Sequence, residues 1–523
     1  MKLKHLFLSI TIYTALFFLM FPGYRYVIDP DATGYLAVAE RLAAGDSFNA
    51  INGLWSPLGS WLLVPFIKVG LDGVITVKFL NGLYGLISLC AFFFLIKKLK
   101  ISFSVAIGLV SSSIFLILYF VFLRLFGDLL QAMFLLLYLN VICGRGFYSN
   151  YKAIILAAFL GGIGFYAKAF SFYFTISHLV LLLLILEKKA QGRYLSVGGI
   201  KKIVLAIVTL VIMVLPWAIA LHNKYGGFML SRTGAFNMTW SLSKAFVQPR
   251  VVFFPPPYTD GYSIWEDLSY WPYTNITPFT NIKLFFFQVK LIFANALEIV
   301  SVLNNFTFFL IAIIITGVFL YFSKARLFFE HLNNAVLLSF ILVWPLGFLL
   351  LHVEARFFWI EVMAALLLSG VLLTYIHEKG LLRKRIFVPL MITVLASFTI
   401  FPLTQLKAEW GAGKNIFEMA DEFKKNGLGG NLISGYRDSD EMSTIVVLNY
   451  LIKGKFFGPF VSDYSTSEIE AGISQYKIDN YIQFYNSPFE KEQVLKSYIA
   501  GKADTVMTDI YPGIIVIHFK RDQ

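Results

Sequence analysis

Asp29, Asp31, Arg124, Asp128, Lys168, Glu354 and Arg356 stand where apolar runs of this chain begin or end. Asp29-Pro30-Asp31-Ala32-Thr33-Gly34-Tyr35 follows the first such run, Leu6 to Phe21, and leads into an amphipathic segment, Tyr35 to Leu42. A carboxylate at a membrane surface is costly to keep there and needs a reason. Asp31 and Tyr35 lie one helical turn apart and share a face. Arg124 and Asp128 stand where two later runs meet, Lys168 closes Gly161-Gly162-Ile163-Gly164-Phe165-Tyr166-Ala167-Lys168, and His352-Val353-Glu354-Ala355-Arg356-Phe357-Phe358 links two more. An acid at a water–lipid boundary can take a proton from a water-borne substrate, and cations at the same depth can hold the phosphate of a lipid-borne one. Each residue alone has a plainer explanation, since terminal Arg and Lys snorkel and Asp or Glu caps helices. Their convergence on one leaflet favours chemistry.

The elements that position them are membrane helices. The 523 residues are 58% hydrophobic and 14% charged, with 54 phenylalanines and a mean hydropathy of +0.71. Soluble domains run near a quarter charged, so the chain is a polytopic membrane protein. Its net charge of +13 sits in short clusters between apolar spans: Lys97-Lys98-Lys100, Lys188-Lys189, Lys201-Lys202, Lys324 with Arg326, and Arg383-Lys384-Arg385. That is the positive-inside pattern and excludes a nucleic-acid partner as its reason. Met1 to Phe21 has Lys2 and Lys4 before an apolar run, but Phe21-Pro22-Gly23-Tyr24 offers no small-x-small cleavage site. It reads as a retained first helix with a cytoplasmic N-terminus. Cys90 and Cys143 both fall in spans, and neither a disulfide framework nor a thiolate metal site can be built from them.

Alternating sides from that start, spans fall near 6–21, 74–96, 102–121, 128–143, 153–168, 172–186, 203–221, 303–322, 335–351, 358–376 and 386–402, about eleven in all. The expected fold is an all-α membrane bundle over 1–402 with a soluble α/β domain over 403–523 on the outer, extracytoplasmic face. The bundle carries a first outer loop, 22–73, in which the apolar stretch Ser56 to Pro65 lies along the interface. A central outer loop, 222–302, is rich in aromatics and proline, as in Pro255-Pro256-Pro257-Tyr258 and Tyr270-Trp271-Pro272-Tyr273. Trp and Tyr favour the headgroup layer, and stacked aromatics also suit sugar rings. Beyond Pro402, helices are expected over Ile416 to Lys425 and Ser439 to Leu451. Strand-like Tyr481 to Tyr485 and Gly513 to Phe519 alternate with helical Ser467 to Tyr476 and Glu490 to Ala500. Gly427-Leu428-Gly429-Gly430 follows a helix and leads into a strand, the wrong order for a phosphate loop.

The order of these features resembles the polytopic GT-C glycosyltransferases, and within them the lipid A aminoarabinose transferase and protein O-mannosyltransferase branch. Pro30-Asp31-Ala32-Thr33-Gly34-Tyr35, followed by Ala39-Glu40-Arg41-Leu42-Ala43-Ala44-Gly45-Asp46, is similar to the branch's first-loop motif, an Asp-Glu pair before a Tyr and a helix ending in Gly-Asp. Trp55-Ser56-Pro57-Leu58 is similar to its following proline segment, Arg124 to Asp128 to its second-loop acidic site, and His352 to Phe357 to its late Glu-x-Arg-Tyr element. The likeness covers most of residues 1–376. Ala32 stands where the second acid of the pair is usual, which weakens any claim to a divalent metal. Ser56 stands where the lipid A transferases carry a lysine, so specificity for aminoarabinose or lipid A does not carry over.

The resemblance implies transfer of a sugar from a polyprenyl-phosphate carrier to an acceptor hydroxyl on a glycolipid, polysaccharide or protein, with no cofactor. Asp31 is then the expected base and Asp128 the residue that orients the acceptor or Asp31's surroundings. Lys168 and Arg356 are expected on the donor phosphate, and Asp29, Tyr35, Arg41, Arg124 and Glu354 among the substrate-binding residues. A flippase or transporter of lipid-linked saccharides is the competing class; transporters usually bury ionisable groups near the midplane of two related halves, and this chain shows neither. A polymerase of lipid-linked saccharides is the nearer rival.

Overall fold

The computed structural model describes residues 2–323, 332–436, 438–458, 466–485 and 505–519. Nine helices among the described residues are long and apolar enough to cross a bilayer. Eight of them fall on expected spans: Leu3–Tyr24, Gly73–Lys98, Phe103–Leu123, Phe170–Gln191, Val197–Tyr225, Asn333–Leu350, Ala355–Glu378 and Lys384–Ala408. Three expected spans fall on shorter helices, Asp128–Ile142, Tyr151–Ala167 and Leu310–Phe322. The ninth long helix, Ile282–Phe306, corrects the reading of 222–302 as a loop throughout. Asn281 caps it by accepting from the Leu284 N–H, and its buried positions Gln288, Asn295, Val302 and Phe306 recur at helical spacing. The expected span 303–322 therefore splits at Thr307. The basic cluster at Lys324 and Arg326 and the expected helix Glu490 to Ala500 lie outside the described residues.

The basic clusters and the acidic loops occupy opposite ends of the helices. Lys97 and Lys98 end the helix Gly73–Lys98, whereas Arg124 follows the far end of the next one, Phe103–Leu123. Phe170–Gln191 starts beside Lys168 and finishes with Lys188 and Lys189 in its last turn. Asp128–Ile142 and Tyr151–Ala167 have 15 and 17 residues, or roughly 22 and 26 Å at 1.5 Å per residue, less than the ~30 Å of a hydrocarbon core. Asp128 begins the first and Lys168 closes the second, so the acidic end of the bundle is recessed where they stop.

Two helices from the first loop roof this end. Asp29 caps Pro30–Ala44 by accepting from the Ala32 N–H at 2.9 Å, Pro30 supplies the fixed φ that suits a first turn, and Gly45 ends the helix at φ +90°. Expected to be amphipathic from Tyr35 to Leu42, this helix is instead buried on every side along Ala32 to Ala39. Leu58–Lys68 packs on it, with the Ser60 hydroxyl donating to the Tyr35 carbonyl at 2.8 Å; Trp61, Leu62 and Phe66 stay exposed.

The C-terminal part is a five-stranded sheet flanked by helices. Strands β1 (Asn431–Gly435), β2 (Lys455–Phe456), β3 (Asn480–Phe484), β4 (Thr505–Tyr511) and β5 (Ile514–His518) take the order β2-β1-β3-β5-β4. β1 is parallel to β2 and β3, while β5 is antiparallel to both β3 and β4. Helices Lys414–Lys425, Ser439–Ile452 and Thr466–Tyr476 alternate with the strands, and Gly427 to Gly430 lies between a helix and β1, as its sequence order suggested. Glu40, on the first-loop helix, joins the sheet unit to the bundle by accepting from the Tyr450 hydroxyl at 2.6 Å and from Lys453 Nζ at 2.8 Å.

Candidate active site

A cavity of about 680 Å³ opens at the recessed end of the bundle. Asp31, Tyr35, Asp128, Lys168, Glu354 and Arg356 all line it, so four separate stretches of sequence meet there. Each acid faces a cation. Asp31 Oδ2 is 2.8 Å from Arg356 Nη1, Asp128 is paired with Lys168, and Asp29 Oδ2 is 3.1 Å from Arg124 Nη1. Arg356 also donates through Nε to Glu354 at 2.6 Å, and His352 Nε2 lies 2.9 Å from the other Glu354 oxygen.

Local backbone geometry aims these groups. Phe126 and Gly127 both have positive φ, +62° and +65°, a conformation that costs a non-glycine residue ~1–3 kcal/mol. That turn reverses the chain just before Asp128, and it sets the Phe126 ring on Tyr35 with centroids 4.9 Å apart and planes within 13°. A Cβ at Gly127 would meet the Tyr35 hydroxyl at 3.4 Å. Tyr35 is thus held as part of the cavity wall: Trp55 packs on it too, at 5.1 Å.

The carboxylates differ in charge environment. Burial, followed by the neighbouring Asp31 carboxylate, pushes the Asp29 acid above its ordinary value against the pull of Arg124 and Arg356. Burial acts the same way on Glu354, but hydrogen bonds from His352 and Arg356 and their charge hold it well below the usual carboxylate range. Asp29, Asp31 and Asp128 each face a guanidinium or ammonium. Among the described residues no cluster of three or more His, Cys, Asp or Glu side chains is placed to hold a metal.

Three expected residues are placed elsewhere. Arg124 and Asp29 line a second cavity of about 440 Å³ on the far side of Glu354 and Arg356, which line both. Ala412, Gly413 and Ile416, at the start of the C-terminal part, close it, whereas among the described residues those around the larger cavity all precede 358. Arg41 is in neither. It is buried at the other end of its helix, bonded to Glu266 and Asp260 at 2.9 Å each and to Asp46 at 3.3 Å, with the Tyr258 ring 4.3 Å away.

Trp265 is a neighbour that sequence reasoning did not single out. Its indole N–H donates to Asp31 Oδ1 at 3.3 Å from 234 residues away, and its aromatic setting in the central loop was the signal available.

No family profile matches the chain, and no curated protein matches it in sequence. Among solved structures it is similar to the oligosaccharyltransferase of Archaeoglobus fulgidus in its apo form, with a TM-score of 0.56 and 11% identity over 92% of this chain and 69% of that one. It is also similar to ArnT from Cupriavidus metallidurans bound to undecaprenyl phosphate (TM-score 0.52, 11% identity, 99% and 98% covered) and in the apo state (0.52, 11%, 98% and 97%). The chain therefore has a GT-C-like fold along nearly its whole length.

Proposed function

We propose that this protein is a membrane glycosyltransferase that moves a sugar from a polyprenyl-phosphate carrier to an acceptor hydroxyl of a glycolipid, polysaccharide or protein, on the outer face of the cytoplasmic membrane. The observation that carries the reading is the set of acid–cation pairs around one cavity, contributed by helix ends up to 325 residues apart in sequence, at the level where two short helices stop. A likeness of fold to ArnT, solved with a lipid phosphate bound, supports the donor class.

In this reading the donor phosphate competes with carboxylates for Arg356 and Lys168. As the phosphate takes those cations, Asp31 loses its guanidinium partner and becomes free to accept a proton. The acceptor oxygen then bonds to the anomeric carbon while the bond from that carbon to the phosphate oxygen breaks. The hydroxyl proton passes to Asp31, and polyprenyl phosphate leaves with the bonding pair, steadied by Arg356 and Lys168. Attack opposite the leaving group inverts the anomeric centre. Asp128, freed from Lys168 in the same exchange, orients the acceptor.

Basic clusters at the helix ends away from the cavity support a cytoplasmic N-terminus and an outer C-terminal part. Exposed Asn426 tests the side: a cysteine there should react with an impermeant thiol reagent in whole spheroplasts, and labelling only after lysis would reverse the orientation. For the reaction, the purified protein is reconstituted with radiolabelled polyprenyl-phosphate sugars and an envelope extract. Transfer of label to a saccharide, lipid or protein is expected; label that only crosses the bilayer would make the protein a flippase.

A further inference from the structure

The loop between Asn333–Leu350 and Ala355–Glu378 carries an ionisable group that the proposed reaction does not use. His352 lines the large cavity, its side chain 32% exposed and its Nε2 2.9 Å from Glu354 Oε1. The other Glu354 oxygen accepts from Arg356 Nε at 2.6 Å, and Arg356 Nη1 is 2.8 Å from Asp31. Imidazole, carboxylate, guanidinium and the expected base thus form one continuous line. Phe357 braces it: its ring meets His352 edge-on at 5.4 Å and has the Lys168 ammonium 4.3 Å from its centroid.

Imidazole is the side chain whose charge changes between roughly pH 5 and 8. Facing a carboxylate, a neutral His352 keeps its proton on Nε2. Nδ1, which has no hydrogen-bond partner among the described residues, is left to take a second one. The charges lining the cavity are the carboxylates Asp31, Asp128 and Glu354 and the cations Lys168, Lys244 and Arg356. Asp29, Arg124 and Glu409 stand on the far side of Glu354. A proton on His352 therefore gives a balanced cavity a net positive charge, beside the carboxylate that neutralises Arg356.

We propose that His352, acting through Glu354, sets how strongly Arg356 holds a phosphodiester, so that the donor binds more tightly as pH falls. His352 is a positioning residue, since it touches no reacting atom. While neutral it lends Glu354 a hydrogen bond and leaves that carboxylate's charge to Arg356. Once protonated it takes a share of the charge, and the guanidinium has more to offer a phosphate. Glu354 still holds Nε, so the gain falls on the edge that faces Asp31. The proposal rests on the reading of Arg356 as a ligand of the donor phosphate.

The test measures binding of radiolabelled dicitronellyl phosphate to the whole protein in phosphatidylcholine nanodiscs, with empty nanodiscs as background. This short isoprenoid phosphodiester keeps a single charge throughout the range. From about pH 8 to about pH 5.5 the wild-type affinity should rise about five- to thirtyfold, the effect of one charge about 8 Å away at an effective dielectric constant of about 20–40. His352→Gln keeps a donor for Glu354 but cannot ionise, so its affinity should stay at the wild-type alkaline level. His352→Lys is charged throughout and should bind at about pH 8 as tightly as wild type does in acid, a gain that a merely structural histidine would not allow. A flat wild-type profile, or the full rise in the glutamine variant, overturns the proposal and leaves the donor reading standing. Should the glutamine variant not fold, the lysine variant decides: binding at alkaline pH no tighter than wild type overturns the proposal as well. A phosphodiester that binds at no pH sinks the donor reading and the proposal with it.

Discussion

The helix Pro30–Ala44 carries an ion pair at each end, and the two pairs have nearly the same length. At its start Asp31 meets Arg356 at 2.8 Å, with side chains 26% and 20% exposed. At its end Arg41 meets Glu266 at 2.9 Å, with exposures of 8% and 4%. The first pair lines a cavity, so an entering anion can exchange with the carboxylate. The second is sealed by Tyr258, Asp260 and Asp46 and pins the central loop onto the first. Burial raises the Glu266 acid even with the Arg41 guanidinium beside it, whereas in the proposed reaction the donor phosphate takes the cation at the helix start. Equal bonds therefore serve opposite ends, and what separates them is whether a third group can reach.

The largest effect should come from Asp31. Asp31→Asn keeps the shape and removes the basicity, so sugar transfer should fall about 10²–10⁴-fold while polyprenyl-phosphate binding survives. Wild-type turnover in a folded Asn variant would move the base to Asp128. Arg41→Met should act on stability instead, since it strands the buried Glu266 carboxylate. We expect a loss of about 3–5 kcal/mol, seen as a lowered thermal midpoint, with normal turnover per folded molecule. A variant that stays stable but cannot bind donor would put Arg41 back among the substrate residues and collapse the distinction.

Lys168→Met sharpens the same contrast at the phosphate. One charge-assisted hydrogen bond, worth about 1.5–3 kcal/mol, corresponds to roughly 10–100-fold in donor affinity measured by lipid-phosphate titration. If binding is unchanged, Lys168 only answers Asp128. The smallest effect belongs to Glu40→Gln, one residue before Arg41 on the same helix, where Tyr262, Tyr450 and Lys453 all bond the carboxylate. About 0.5–1.5 kcal/mol of docking should be lost, visible as faster hydrogen exchange in Ser439–Ile452 with transfer little altered.

Much of the frame was legible because hydropathy and capping act locally. Asp29, Pro30 and Gly45 mark both ends of their helix in the sequence, and the boundary charges gave the order of the loops. Pairing was not legible. Arg41 looks as free as Arg356 in the sequence, yet its partners Asp260 and Glu266 lie 219 and 225 residues away, and only packing brings them in. Ile282–Phe306 escaped for a different reason. Lys283, Lys290 and Glu298 interrupt its apolar run, while Asn295 is satisfied by the carbonyls of Leu349 and Leu351, contacts that no local pattern announces. Trp265 likewise reads as one more aromatic until its N–H is found on Asp31.

The short helices Asp128–Ile142 and Tyr151–Ala167 stop where the cavity begins, and neither shows lipid a side chain at that end. No residue of Asp128–Ile142 is exposed, and the exposed residues of Tyr151–Ala167, Tyr151 to Phe159, lie in its other half. Their shortfall of roughly 4–8 Å against a hydrocarbon core therefore hollows the protein from within and leaves the bilayer beside it undented.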